Sequence, residues 1–413
     1  MSLRRPFAHL RSEEWLRLAA FALVVFYAIL AVWAVLHLGL FSVLGGDFRA
    51  FFAAARIAAT SGFDQVYNLA VQKAVQKALM ASYTAEEVET IPVPFLPPFI
   101  LPFIIFLPLG LSGGFALWTT LNIIILAVYL SRFAWKSKGN SLLMLALLSF
   151  PIFLNFFFGQ VSVWLLICIG EFLRAWEQGR PFHSGLWLGG LLLKPQILIL
   201  LLPFLAVSRE WGILTGFAVA LTAVGAVSLA LAGPEGLRAW AILLFRYTGN
   251  LPTINPEVMI NLRMVGEVLS VLLASEAVRS IVAGLSVVVA MLALALSLRW
   301  RRRTPEERSG MLLFLLAATS LVTWHSHIHM AAILIPPFLR QVSTRQMPPH
   351  LFVLWTMLPP AIYFLGIASM ALLSIWGRPF PPLPGLTYPA LALLIFHIYF
   401  AVRVLCRLLS QTT

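Results

Sequence analysis

Apolar residues along this chain come in long runs, not in the alternating or 3.6-periodic stripes of soluble elements. The first run, 18–40, follows Arg4, Arg5 and Arg11. It is too long for a signal-peptide core and no small-residue cleavage site follows it. It therefore predicts a retained first span with a cytoplasmic N-terminus. Further runs at 115–134, 141–156, 161–176, 184–193, 196–207, 213–231, 281–298, 311–324, 328–339, 351–375 and 390–402 bring the expected spans to about 12. Several hold only 10–14 apolar residues, short of the ~20 needed to cross alone. Short apolar helices around polar breaks are expected where a cavity lies at membrane depth.

The polar interruptions add to this picture. Residues 41–94 form a long first extracytoplasmic loop, with helices expected at the membrane surface over 48–59 and 71–80. The segment 95–108 is apolar but carries Pro97, Pro98, Pro102 and Pro108. Proline removes a backbone donor and clashes with the preceding turn, so this segment reads as interfacial or re-entrant. A second extracytoplasmic loop covers 233–276. The whole chain, 1–413, reads as one all-α polytopic integral membrane domain.

Composition excludes the alternatives. Hydrophobic residues make up 60% and charged residues 11%, far from the ~25% charge of soluble domains. So few charges cannot clothe a soluble surface or solvate a disordered chain. Cys168 and Cys406, both in apolar segments, exclude a disulfide scaffold and a cysteine metal site. The net charge of +13 is a matter of topology rather than of a nucleic-acid partner. With 95–108 not crossing, 19 of the 29 Lys and Arg residues fall in the cytoplasm, against 7 of the 16 Asp and Glu residues. This obeys the positive-inside rule, places the C-terminus in the cytoplasm, and needs only the anionic lipid bilayer as partner. No phosphate-binding Walker loop, dinucleotide fingerprint or internal repeat is present.

In this topology the unusual polar residues gather on one membrane face. Asp47 is one of only two aspartates, in Gly45-Gly46-Asp47-Phe48 just before a helix. It reads either as an N-cap or as a general base at the mouth of a cavity. Arg49 and Arg56, seven apart, share a helix face that suits a phosphate or lipid headgroups. Asn155 and Gln160 flank a turn at Gly159, where they either satisfy backbone or face a ligand. Lys194 sits in Leu193-Lys194-Pro195, and a lysine in so apolar a context either snorkels or binds an anion. Asn255, Glu257, Asn261 and Arg263 lie in the second loop. His325, His327 and His329 follow Trp324; on a helix, His325 and His329 would share a face with His327 turned away. Interfacial packing, contact with a phosphate or sugar, and a metal are the three readings of this cluster. Without a nearby cysteine or carboxylate, metal is the weakest of them.

Taken in order, these segments resemble glycosyltransferase family 87, whose members carry the GT-C fold and use polyprenyl-phosphate sugars. The matching segments begin with Gly46-Asp47-Phe48, followed by Ser61-Gly62 and Tyr67. Next come Pro97-Pro98, Pro108-Leu109 and Ala116-Leu117-Trp118. Then follow Asn155 with Gly159-Gln160-Val161, Gly185-Leu186, and Leu193-Lys194-Pro195. Ser320 and Thr323-Trp324 with the histidines complete the resemblance, which covers roughly residues 40–340. The family's Ser-Pro-x-Ser-Trp pattern departs here to Leu321 in place of proline, with the histidines spread as His-Ser-His.

The resemblance implies an extracytoplasmic membrane glycosyltransferase. It would move a sugar, mannose first among the options, from a polyprenyl-phosphate-linked donor to a hydroxyl of a glycolipid or glycan acceptor. Inversion would follow from one displacement with Asp47 as base and no metal or other cofactor. Lys194, His327, His325, Arg49, Arg56, Arg263, Gln160 and Asn155 are the candidates for the donor phosphate and sugar. Tyr67 and Asn261 are candidates on the acceptor or loop side. A transporter of a lipid-linked or anionic substrate and a non-catalytic lipid-binding subunit are the rival classes.

Overall fold

A computed structural model describes residues 12–84, 89–133, 140–249, 256–298, 304–375 and 385–410, and every regular element among them is a helix. Among the described residues six stretches are long and apolar enough to cross a bilayer: Arg17–His37, Leu107–Arg132, Trp211–Phe245, Ala277–Ser297, Pro349–Ser369 and Thr387–Val404. Large apolar side chains on them face outward, with Phe21, Ile29, Leu36 and Ile281 each more than 60% exposed. Helices satisfy their own backbone and present such side chains to lipid, so the chain is an all-α polytopic membrane protein.

Of the roughly 12 expected spans, six appear as long helices among the described residues and others as shorter, inner ones. Residues 141–156 are not one span. They form Asn140–Leu147 and Phe150–Phe158, because the ring of Pro151 excludes the carbonyl four residues earlier from a continuous helix. Residues 184–207 run as Pro181–Leu188, the 3-10 turns Gly189–Leu193 and Pro195–Ile197, and Leu198–Val207. Residues 328–339 begin as the 3-10 helix Ile328–Leu334 and become α-helical only at Ile335–Ser343. Ser162–Glu177 is about 24 Å long at 1.5 Å per residue, shorter than the ~30 Å hydrocarbon core. These short helices are central. Met311, Leu312, Leu313, Leu315 and Leu316 of Pro305–Val322 have no exposed surface, nor do Leu165, Leu166, Ile169 and Phe172 of Ser162–Glu177.

The inner helices are tied at one end by polar contacts. Arg340 pairs with Glu177 at 3.0 Å, Gln341 donates to Ser309 at 2.7 Å, and Arg308 donates to the Trp176 carbonyl. All lie where charge counting places the cytoplasmic side. The arginines at 299–303, the lysines at 136 and 138, and Glu86 and Glu87 lie outside the described residues.

The first loop folds as expected into Gly46–Ser61 and Leu69–Met80, joined by the 3-10 turn Phe63–Tyr67. The proline-broken segment yields only the eight-residue helix Pro97–Ile104, about 12 Å long and too short to cross. Two glutamines one turn apart hold the chain that leads into it. Gln76 donates to the Ile91 carbonyl at 2.8 Å and accepts from its N–H at 3.1 Å. Gln72 accepts from the Val93 N–H at 3.1 Å.

Candidate active site

The site is built around the turn between Phe150–Phe158 and Ser162–Glu177. Gly159 closes the first helix in the left-handed region, at φ 73°. The Gln160 N–H donates to the Asn155 carbonyl at 2.7 Å. The Asn155 side-chain oxygen then accepts from the Ser162 N–H at 2.7 Å, at the start of the next helix. Asn155 thus does the structural work of stopping one helix and starting another. Its amide nitrogen and the Ser162 hydroxyl are buried without a hydrogen-bond partner. The Gln160 side chain is left to project.

Asp47 meets that side chain. Its helix begins at Gly46, with Gly45 as N-cap in the left-handed region and no side-chain cap. The N-cap reading of Asp47 is therefore corrected: Asp47 is already helical, and its half-buried carboxylate accepts a hydrogen bond from Gln160. The helix start is sewn to the turn at several points. The Gly45 N–H donates to the Phe157 carbonyl at 2.8 Å, and Trp118 Nε1 donates to the Gly159 carbonyl at 3.1 Å.

Lys194 approaches the same glutamine. It lies in the break between two 3-10 turns, 9% exposed, and its Nζ donates to Gln160 Oε1 at 3.0 Å. Burial raises the Asp47 carboxyl above the ordinary carboxylate range; the Gln160 hydrogen bond and the charges of Lys194 and Arg49 pull it back in part. Burial brings the Lys194 ammonium down to about 8, against the opposing pull of Asp47. Charged groups so perturbed, on separate chain segments, mark a functional site.

The histidine segment lies nearby and differs from its expected form. It is extended, not helical, up to His327, which caps the 3-10 helix Ile328–Leu334. His327 lies between the other two, with ring centroids 4.6 Å from His325 and 5.9 Å from His329. The expectation that His325 and His329 share a face while His327 points away is thus overturned. Helical spacing does not apply to extended backbone, where the chain paired locally with Met259 takes over. Burial, then the charges of Lys194 and Arg263, hold His327 down to about 3. It is a neutral imidazole, with one donor and one acceptor nitrogen. Among the described residues no group of three His, Cys, Asp or Glu side chains is placed to hold a metal ion.

Other candidates have different surroundings. Arg49 is buried and its terminal nitrogens are occupied by the carbonyls of Phe41 at 3.2 Å and Glu89 at 2.8 Å. Arg56 is exposed, so the two arginines do not present one face to a ligand. Tyr67 donates its hydroxyl to the Phe95 carbonyl at 2.9 Å, inside the core. Asn261 caps Leu262–Leu272 and donates to the Thr323 carbonyl at 2.8 Å, which pins the second loop to the histidine segment. Arg263 stacks over the Trp324 indole, 4.2 Å from its centroid, at the rim. Asn255 lies outside the described residues, and Glu257 is half-buried in the turn Pro256–Val258. Sequence reasoning missed Trp118, Gln72 and Gln76 as the supports of this region. The only signal was the four-residue spacing of the two glutamines.

Comparison with curated proteins and with solved structures gives no match to this chain. The model of one family, glycosyltransferase family 87, matches residues 95–324. That interval contains Asn155, Gln160, Lys194, Asn261 and Arg263; Asp47 precedes it and the three histidines follow directly. The match spans more than half of an all-helical membrane chain whose perturbed carboxylate and lysine meet at one turn: the chain belongs to glycosyltransferase family 87 and is a membrane glycosyltransferase.

Proposed function

We propose that the enzyme transfers a sugar, with mannose the first to test, from a polyprenyl-phosphate donor to a hydroxyl of a lipid-linked or glycan acceptor on the extracytoplasmic face. The observation that carries this reading is the Asp47–Gln160–Lys194 cluster, which brings a carboxylate and an ammonium to one amide. Asp47 takes the proton of the acceptor hydroxyl. The acceptor oxygen forms its bond to the anomeric carbon as the bond from that carbon to the phosphate oxygen breaks, so the configuration inverts. The polyprenyl phosphate departs with the electron pair. A lipid monophosphate leaves already charged, and Lys194 with neutral His327 as a hydrogen-bond donor stabilises it without a metal. His325 and Arg263 lie next in line on the rim. The proline-broken segment and the short inner helices would form the groove for the isoprenoid tail.

The test uses purified enzyme in detergent or vesicles with a panel of polyprenyl-phosphate sugars. Donor hydrolysis or transfer is scored by mass spectrometry, with and without EDTA. Turnover of one donor that survives EDTA is expected. No turnover of any polyprenyl-phosphate sugar, alongside turnover of a nucleotide sugar, would replace the donor class. Abolition by EDTA with rescue by a divalent ion would replace the metal-free scheme.

A further inference from the structure

The Gln160 amide has its two ends assigned by its neighbours. Lys194 can only donate, so it faces Oε1, at 3.0 Å. Asp47 as a carboxylate can only accept, so it faces Nε2. The backbone of the same turn adds a second restraint, because the Val161 N–H also points at Oε1, at 3.3 Å. Gly159 and the Asn155 carbonyl fix the turn itself. A side chain held at Oε1 by two donors, with the Asp47 carboxylate beside its amide and 7% exposed, has little freedom to turn toward a sugar or a phosphate.

We propose that Gln160 is a positioning residue rather than a donor ligand: its amide fixes the carboxylate of Asp47 and links it to Lys194. This rests on the general-base reading given above. Other charged groups do not offer Asp47 an equivalent partner. Arg49, on the same helix and close to Glu89, gives its terminal nitrogens to two carbonyls. Pro97–Ile104 and Phe150–Phe158, which pack near it, carry no titratable side chain. In Phe63–Tyr67, Asp64 is exposed and Tyr67 is occupied by the Phe95 carbonyl. Lys73 and Lys77 of Leu69–Met80 are exposed. The Gly110–Phe133 helix carries its arginine, Arg132, in its last turn. The three histidines feel the charge of Lys194 and are not among the groups that act on Asp47.

Two near-isosteric variants separate the roles. Gln160→Met keeps length and volume and loses both bonds. Gln160→Glu keeps an acceptor for Lys194, loses the donor to Asp47 and sets a negative charge beside it. The readouts are kcat against pH at saturating donor, donor KM, and carbodiimide labelling of Asp47 against pH by mass spectrometry. Losing a hydrogen bond to the charged form moves a carboxyl upward. Both variants are expected to move the acid limb and the labelling midpoint up by about one pH unit or more, furthest for Gln160→Glu. kcat should fall about tenfold or more, with donor KM of Gln160→Glu within about threefold of wild type. An unmoved labelling midpoint with raised donor KM would make Gln160 a donor ligand. An unmoved midpoint with only a lower melting temperature would make it a turn residue; either outcome overturns the proposal. Labelling needs no turnover, so it decides the matter for a weakly active variant too. Wild-type activity in Asp47→Asn would instead remove the base assignment, whatever Gln160 does.

Discussion

Gly159 lies so close to Phe48 that a Cβ on the glycine would come within 2.5 Å of the phenylalanine Cβ. Phe48 in turn sits among Phe103, Phe106, Phe115 and Trp118 with no exposed surface. The contact joins residues far apart in the chain and sets the distance between the neighbour of each, Gln160 and Asp47.

Gly159→Ala is expected to lose at least tenfold in transfer and to lower the melting temperature. The new methyl must push Phe48 away, and it adds the left-handed strain of ~1–2 kcal/mol. Gly179 is also left-handed, at φ 69°, but has nothing within 4 Å of a built Cβ. Gly179→Ala should show the strain alone, with normal transfer per folded molecule. Equal transfer in both variants would mean that the Phe48 contact does not set the site.

Asp47→Asn is expected to lower turnover by roughly 10²–10⁴-fold while leaving donor binding and melting temperature near wild type. Gly45 caps the helix, so no cap is lost. Asp47→Glu should also be poor, since an added methylene misplaces the oxygen. Asp64, exposed and bonded to the Gln65 amide at 2.7 Å, is the control, and its loss should be mild. Transfer by Asp47→Asn within about threefold of wild type would end the assignment of Asp47 as base.

The pH profile of kcat/KM for the donor should be a bell shifted inward on both sides. Asp47 must be ionised, and burial raises its carboxyl, so activity should fall on the acid side at a pH above the ordinary ~3.9. Lys194 must be protonated and is brought down to about 8. The alkaline limb is therefore expected near that value, since this parameter reports the free enzyme. Lys194→Arg should push the alkaline limb out of range, because a guanidinium stays charged. An alkaline limb unchanged in that variant would assign it to another group.

Orientation is open to a labelling test. A cysteine at Ser82, exposed beyond Leu69–Met80, should react with an impermeant reagent added outside whole cells. One at Arg180, exposed just after Ser162–Glu177, should react only after permeabilisation. The reverse pattern would put the site in the cytoplasm and require a donor made on that side.

Local signals explain which parts of this architecture could be read in advance. The alanine-rich stretch 48–59 and the second candidate 71–80 are found as the helices Gly46–Ser61 and Leu69–Met80. Gly159 and Pro195 announced their breaks. Run length alone could not separate the long outer helices from the short inner ones, since a short buried helix and a lipid-exposed one are both apolar throughout. The histidine geometry failed because pairing with the remote Met259 decides the backbone there. Nothing local could show that Gln160 stands between Asp47 and Lys194; that contact exists only after the inner helices pack.

The grip of Gln72 and Gln76 falls on peptide groups at Ile91 and Val93, which are chemically the same in every residue but proline. Arg49 adds the carbonyl of Glu89. The Ile91 side chain meanwhile reaches toward Gly46, one residue from Asp47. The segment is thus a wall hung by its backbone at Glu89, Ile91 and Val93; the Val93 side chain is buried in the core, whereas Ile91 is only half-buried. Exchanging residue 91 alters the shape offered next to Asp47 while the backbone bonds keep the scaffold's register, so the surface there can be recut at one position without refolding the chain.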